Sequence, residues 1–204
     1  KKFTCILDEN LKLDSNIVSE LENTQNSKTC IFGFSWLIHK ILSENKNNKI
    51  FKNLFSKISQ STVLHIGGWK KLSDLSIDKQ EFNKECAEFF NTNDDKIIDM
   101  YGMTEQLGIV YPDCKYGNKH VPIFSEILIR DPNSLEIQPD GQSGFIQVIS
   151  PIPNSYPGIS LLTDDIGEIL GRDDCPCGRK GTYFIFKKRS EMADPKGCGD
   201  TLDI

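Results

Sequence analysis

KIIDMYGMTEQLG, Lys96 to Gly108, is the stretch on which the fold turns. Lys96–Met100 reads as a short strand, closed by a sharp turn at Tyr101-Gly102. Glycine-marked turns at strand C-termini are where α/β proteins place ligands. A hydroxyl, Thr104, and a carboxylate, Glu105, follow at once. That pair suits a phosphate and its Mg²⁺, since Mg²⁺ takes oxygen ligands and is shared with phosphates. An ordinary strand–helix turn carries the same residue types, so the surroundings decide.

Upstream, Thr62–Ile66 (TVLHI) is a second β-rich run, and it ends in Gly67-Gly68-Trp69. Glycine there offers backbone N–H groups and close approach, because it lacks a Cβ. Lys28–Phe32 (KTCIF) is a third such run. Between the runs the period changes to that of a helix. Phe34, Leu37, Ile38, Ile41 and Leu42 share one face, as do Ile50, Phe51, Leu54, Phe55 and Ile58. A further helix is expected from Asp78, its cap, with Phe82, Cys86, Phe89 and Phe90 inward. Alternation at this spacing predicts an open, mainly parallel α/β sheet, a partial nucleotide-binding subdomain over residues 1–118.

Downstream the texture changes. VPIFSEILIRDP, GFIQVIS, ISLLTDDIGEIL and TYFIFKKR are strand-like, split by Asp131-Pro132-Asn133 and Asp140-Gly141. A smaller antiparallel β subdomain is expected over 119–190, with a mobile tail over 191–204.

The bulk numbers exclude several classes. Of 204 residues, 24 are basic and 29 acidic, for a net charge of −5. No positive field attracts a nucleic-acid backbone. No apolar run approaches the roughly 20 residues of a membrane helix, and KKFTCILDEN is not a signal peptide. The seven cysteines are odd in number and unevenly spaced, unlike a secreted disulfide framework. A cytoplasmic protein is expected. Cys5, Cys30 and Cys86 read as small buried hydrophobes.

Four more features carry chemistry. In LLTDDIGEI (161–169), paired acids suit the two hydroxyls of a ribose, or else a solvated turn. FKKRSE (186–191) places a guanidinium, Arg189, where it suits phosphate or ribose oxygens, or else a solvated face. Cys114 and His120, with Cys175 and Cys177, supply three thiolates and an imidazole, enough for a structural tetrahedral zinc site. The Cys–x–Cys spacing is tighter than the usual knuckle, and free thiols with a surface His are the alternative. Cys198, in DPKGCGD, reads as an exposed thiol whose thiolate Lys196 favours.

The order of GG-W-K, YGMTE, TDD and a strand-terminal Arg resembles that of the acyl-adenylate-forming superfamily. The finer resemblance, over roughly residues 30–200, is to the LuxE-type acyl-protein synthetases and more distantly to phenylacetate–CoA ligases. It rests on HIGGWKK, YGMTEQLG, the Cys–x5–His before VP, TDDIGEI, CPCGR and Gly197-Cys198. The resemblance implies that Thr104 contacts the α-phosphate of ATP, that Glu105 binds Mg²⁺, and that Gly67, Gly68, Trp69, Tyr101 and Gly102 line the nucleotide. It implies a ribose role for Asp165, with Asp164 as the alternative because Asp stands where the family has Gly. Arg189 matches the Arg near an interdomain hinge, although Lys188 replaces the usual Gly before it. It implies zinc on Cys114, His120, Cys175 and Cys177, and an acyl thioester on Cys198.

The activity so implied is ATP-dependent activation of a long-chain fatty acid and its transfer to a protein cysteine. An acyl-CoA reductase subunit or an acyl carrier is the implied partner. A ligase using CoA or a carrier protein, and a non-catalytic zinc-stabilised module, are the alternatives. The family's Ser/Thr/Gly-rich phosphate loop has no counterpart here, nor does GxxxxGK[ST], and position 1 is not Met. The expectation is therefore a C-terminal half with a partial fold, inactive as an isolated piece.

Overall fold

Two neighbouring strands pair in parallel only if a long crossover returns the chain to its starting edge. The helical periodicity between Phe34 and Ile58 supplies that crossover. The computed structural model describes residues 3–14, 16, 17, 21, 28–58, 61–67, 78–154 and 156–190. In it β1 (Thr29–Phe34) and β2 (Ser61–Ile66) run parallel, in register from Thr29↔Ser61 to Phe34↔Ile66. Helices α1 (Ser35–Asn45) and α2 (Lys49–Ser56) connect them, and α3 (Lys79–Phe89) follows β2. The chain divides into two compact units, Lys1–Ile98 and Asp99–Ile204.

The helix starts of the first unit are set locally. The Asn48 side chain accepts from the Ile50 N–H at 3.1 Å. Asp78 accepts from Gln80 and Glu81 N–H groups at 2.8 and 3.3 Å, as expected from its position. Such caps contribute about 1 kcal/mol each. Asn91, at φ 50°, ends α3 in the left-handed conformation that its short polar side chain tolerates. The core joins Ile38, Ile41 and Leu42 of α1 to Phe51, Leu54 and Phe55 of α2 and Phe82, Cys86 and Phe89 of α3. Phe55 meets Phe90 edge-on at 4.9 Å, and Phe90 meets Phe89 at 5.1 Å.

Three expectations fail in this unit. Ile50 is 61 % exposed, because it lies beside the face that Phe51, Leu54 and Phe55 present in a two-turn helix. Cys30 is exposed because the alternation of β1 turns it outward together with Phe32. Cys5 is exposed as well, and of the three only Cys86 is a buried hydrophobe.

Strand β3 (Ile97–Tyr101) carries the chain into the second unit, where β4 (Tyr111–Pro112) pairs antiparallel with its end. A five-stranded antiparallel sheet follows in the order β5-β9-β8-β7-β6. Its strands are β5 (Lys119–His120), β6 (Glu126–Arg130), β7 (Ser143–Ile149), β8 (Ser160–Arg172) and β9 (Thr182–Arg189). The turn after β6 is held by Asp131, whose carboxylate accepts from Asn133 and Ser134 N–H groups at 2.8 and 2.9 Å. Tyr101, Tyr111, Ile127, Ile129, Ile146, Val148, Ile169 and Phe184 form the core. Burying each aliphatic or Phe side chain contributes about 1.5–3 kcal/mol. A parallel α/β segment followed by an antiparallel β segment is the class the sequence predicts.

Candidate functional site

The end of β3 is where the candidate nucleotide residues gather. Tyr101 is 9 % exposed, and its hydroxyl donates to Asp165 Oδ2 at 2.8 Å. Asp165 stands opposite Arg189 across β8 and β9, with Arg189 Nε at 3.5 Å from Asp165 Oδ1. Register shifts after Ile166 and Ile169 interrupt the pairing of these strands. Gly167 sits at the first, where a Cβ would lie 2.7 Å from Ile146 Cδ1 and from the Ile185 carbonyl. Such bulges re-aim side chains. Asp164 is exposed, and its carbonyl accepts from Ser190 N–H at 2.8 Å. The acid that faces Tyr101 and Arg189 is thus Asp165. Thr163 lies within β8 and not beyond it, donating to the Ile146 carbonyl at 2.8 Å and accepting from Asp165 N–H at 3.2 Å.

Burial, the Asp165 charge and the hydrogen bond to it hold the Tyr101 hydroxyl well above its usual pKa. It therefore stays a donor, and it fixes the Asp165 carboxylate from one side. Gly102 follows Tyr101, and a single 3₁₀ turn spans Thr104–Gln106. Thr104 and Glu105 are exposed, with Thr104 Oγ1 donating to Glu105 Oε2 at 3.1 Å. A hydroxyl and a carboxylate side by side in solvent are open to a phosphate and its cation.

What holds that turn was not evident from its own residues. Gln106 is 1 % exposed, and its Nε2 donates to the Gly158 carbonyl at 3.3 Å. Its Oε1 accepts from Tyr111 Oη at 2.9 Å, and Tyr111 Oη lies 2.7 Å from Ser125 Oγ. A buried glutamine next to a candidate motif has no distinguishing sequence signal, because its partners lie on distant segments.

Gly67 belongs to the first unit, directly after β2, and its φ of +91° explains why glycine stands there. His65 is buried, with Nδ1 at 2.9 Å from Ser35 Oγ and its ring against Phe82, which gives it a packing role. Gly68, Trp69 and Cys198 lie outside the described residues.

The second cluster is Cys114, His120, Cys175 and Cys177, whose ligand atoms all lie within 4.8 Å of one another. Cys114 Sγ is 3.9 Å from Cys175 Sγ, and Cys177 Sγ is 3.3 Å from His120 Nε2. A zinc tetrahedron has edges of about 3.8 Å between sulfurs and about 3.6 Å from sulfur to nitrogen. The donor set and its spacing fit zinc. Hydrogen bonds to sulfur are also in place: Asn118 Nδ2 donates to Cys175 Sγ and Arg179 N–H to Cys177 Sγ, both at 3.4 Å. Burial pushes the Cys175 thiol up, but the Asn118 amide, the Cys177 N–H and the neighbouring thiols outweigh it and bring it down. Burial and the Arg179 charge lower the His120 pKa, so the imidazole is neutral, as a ligand must be. Among the described residues His120 Nδ1 is buried without a hydrogen-bond partner, and the ring is held by stacking on Tyr183 at 5.8 Å.

Among the described residues no helix is long and apolar enough to cross a membrane. The chain is similar to solved adenylate-forming enzymes. One is 2-hydroxyisobutyryl-CoA ligase with its acyl-AMP and CoA, at TM-score 0.63 and 16 % identity over 85 % of this chain and 36 % of that one. That likeness shows the fold. Two curated relatives are nearer in sequence, both long-chain-fatty-acid–luciferin-component ligases. The Vibrio harveyi protein is 28 % identical over 96 % of this chain, and the Aliivibrio fischeri protein 27 % over 93 %. The chain spans about half the length of each, 50 % in both cases. The family model of the LuxE acyl-protein synthetases matches residues 2–204, and the chain belongs to that family.

Proposed function

We propose that this chain supplies the ribose-, magnesium- and acyl-handling part of a ligase that activates a long-chain fatty acid with ATP. One observation carries the reading. Tyr101, Asp165 and Arg189 meet at the end of the strand that leads into Thr104 and Glu105. Asp165 accepts from the ribose hydroxyls, oriented by Tyr101 on one oxygen and Arg189 on the other. Thr104 donates to the α-phosphate. Glu105 holds Mg²⁺, which supplies charge neutralisation for the phosphates. The fatty-acid carboxylate attacks the α-phosphorus, a C–O–P linkage forms, and pyrophosphate leaves. Tyr101 and Gly102 line the nucleotide in this reading.

The Cys198 thiolate then attacks the acyl carbonyl. A C–S bond forms, the bond to the phosphate oxygen breaks, and AMP departs. The thioester is passed on to a partner such as an acyl-CoA reductase subunit or an acyl carrier. Cys114, His120, Cys175 and Cys177 hold a structural zinc, four protein ligands leaving no open position for catalysis.

The test uses the full-length protein, ATP and labelled myristate. Acid-stable, hydroxylamine-sensitive label is expected on the protein and absent from Cys198→Ser. Label that survives unchanged in Cys198→Ser refutes the acyl-cysteine step, and CoA-dependent turnover by that variant assigns the acyl group to CoA instead. ATP–pyrophosphate exchange unaffected by Glu105→Gln and Asp165→Asn removes the adenylation reading.

A further inference from the structure

The two clusters of the second unit are joined by a buried clasp. Lys119 is 5 % exposed and Asp113 4 % exposed, unusual burial for charged residues. Both converge on Asp99, in β3. Lys119 Nζ donates to Asp99 Oδ2 at 3.0 Å and to the Asp99 carbonyl at 3.3 Å. Asp113 Oδ1 accepts from the Asp99 N–H at 2.9 Å, and the Asp113 N–H donates to the Asp99 carbonyl at 3.0 Å. Both backbone groups of Asp99 and its carboxylate are therefore held from the segment 113–120.

That segment is the hairpin that carries two of the four metal-ligand candidates. Each clasp residue immediately precedes one of them: Asp113 precedes Cys114, and Lys119 precedes His120. Asp113 and Lys119 face each other across the hairpin. Its tip is closed by Cys114 N–H to the Asn118 carbonyl at 2.8 Å and Gly117 N–H to the Cys114 carbonyl at 2.7 Å. Adjacent residues of an extended chain point to opposite faces. One side of the hairpin thus presents sulfur and imidazole to a metal, and the other grips β3. Two residues beyond Asp99, Tyr101 donates to Asp165, and Thr104 and Glu105 follow.

We propose that Lys119, with Asp113, is a positioning residue that couples metal occupancy of the cysteine–histidine cluster to the placement of the nucleotide turn. A metal fixes Cys114 and His120 relative to each other. The hairpin then holds Asp113 and Lys119 at one separation, and Asp99 sits at one height along β3. Tyr101, Thr104 and Glu105 inherit that height. Without the metal the hairpin opens, the clasp loosens, and the nucleotide residues lose their common register. This inference rests on the zinc and nucleotide assignments made above.

Coupling between two binding sites is reciprocal, which gives a test that does not depend on turnover. Zinc affinity of the full-length protein is measured by competition with a chelator of known affinity, with and without MgATP. ATP affinity is measured by equilibrium dialysis on the zinc-loaded and zinc-free protein. In the wild type both affinities are expected to rise by the same factor, about five-fold or more. The informative variant is the double Asp99→Asn, Lys119→Met, because it removes both members of the Lys119–Asp99 ion pair together and leaves neither partner's charge without the other, while Asp113 keeps the Asp99 N–H as a donor. It is expected to bind one zinc and MgATP with the two affinities independent, while Lys119→Arg keeps most of the coupling. A wild type that binds zinc and MgATP independently, or a double variant that retains the full factor, overturns the coupling and leaves the site assignments standing. A full-length protein that binds no zinc, or no MgATP, overturns the site assignments and the coupling together.

Discussion

Adding one methyl group at Gly158 is expected to disable the proposed adenylation by the full-length protein without unfolding it. A Cβ there would lie 2.5 Å from the Glu105 carbonyl oxygen and 3.3 Å from Pro153 Cβ. Both are too close, and the first is against backbone, which has no flexible end to yield. Relief requires a shift of about 0.5–1 Å in the Glu105 turn or in the Gly158 segment, at a cost of about 1–3 kcal/mol. The same shift strains the bond from Gln106 Nε2 to the Gly158 carbonyl, 3.3 Å before any displacement. Glu105 is the proposed magnesium ligand, and a displacement of about 1 Å at such a position lowers a rate by about 10²-fold. The assay is ATP–pyrophosphate exchange at 25 °C beside a thermal melt. Gly144→Ala is the control: its Cβ would press on the Arg130 carbonyl group and on Ile129 Cγ2, at the β6–β7 contact. Both variants should melt earlier, and only Gly158→Ala should lose exchange far beyond its loss of stability. Unchanged exchange in Gly158→Ala, or an equal loss in the two variants, would refute the reasoning.

Two further outcomes follow from the titration behaviour of buried groups. The Tyr101 pKa is raised in the folded state, first by burial and then by Asp165, so its contribution is complete below the unfolded value of about 10. That contribution is lost as pH climbs beyond it; denaturant melts should show constant stability near neutrality and a decline above pH of about 10 that is shallower in Tyr101→Phe. A Tyr101 phenolate seen by absorbance near pH 10 in folded protein counts against the buried hydrogen bond. Burial and the neighbouring Glu85 charge push the Cys86 thiol up, whereas Cys5 is exposed. Iodoacetamide mapping at mildly alkaline pH should label Cys5 in native protein and Cys86 only after unfolding; equal rates would contradict the core described for α3.

Much of the fold is legible in the sequence because its signals are local. The helical spacing of Phe82, Cys86 and Phe89, the Asp78 cap and the β-rich run of β2 each need only a few neighbouring residues, and each appears as expected. The limits of local reasoning show at Ile50 and Cys30. Periodicity places a residue near a face, while burial depends on how wide the covering layer is. The ligand set Cys114, His120, Cys175 and Cys177 was nameable from residue types, but its convergence within 4.8 Å is a property of β5 lying against β9.

The sequence by itself determined the element types, the order of the motifs and which side chains have the chemistry for phosphate, ribose, metal and acyl group. Tertiary structure alone decided that Asp165 rather than Asp164 meets Tyr101 and Arg189, since a one-residue change of register turns a strand side chain to the other face. It alone decided that Gln106 and Gly158 fix the Glu105 turn, and that Lys119 and Asp113 grip Asp99. These contacts join residues 14 to 64 positions apart. Pairing over such distances is set by strand register and bulges, which short-range patterns do not encode.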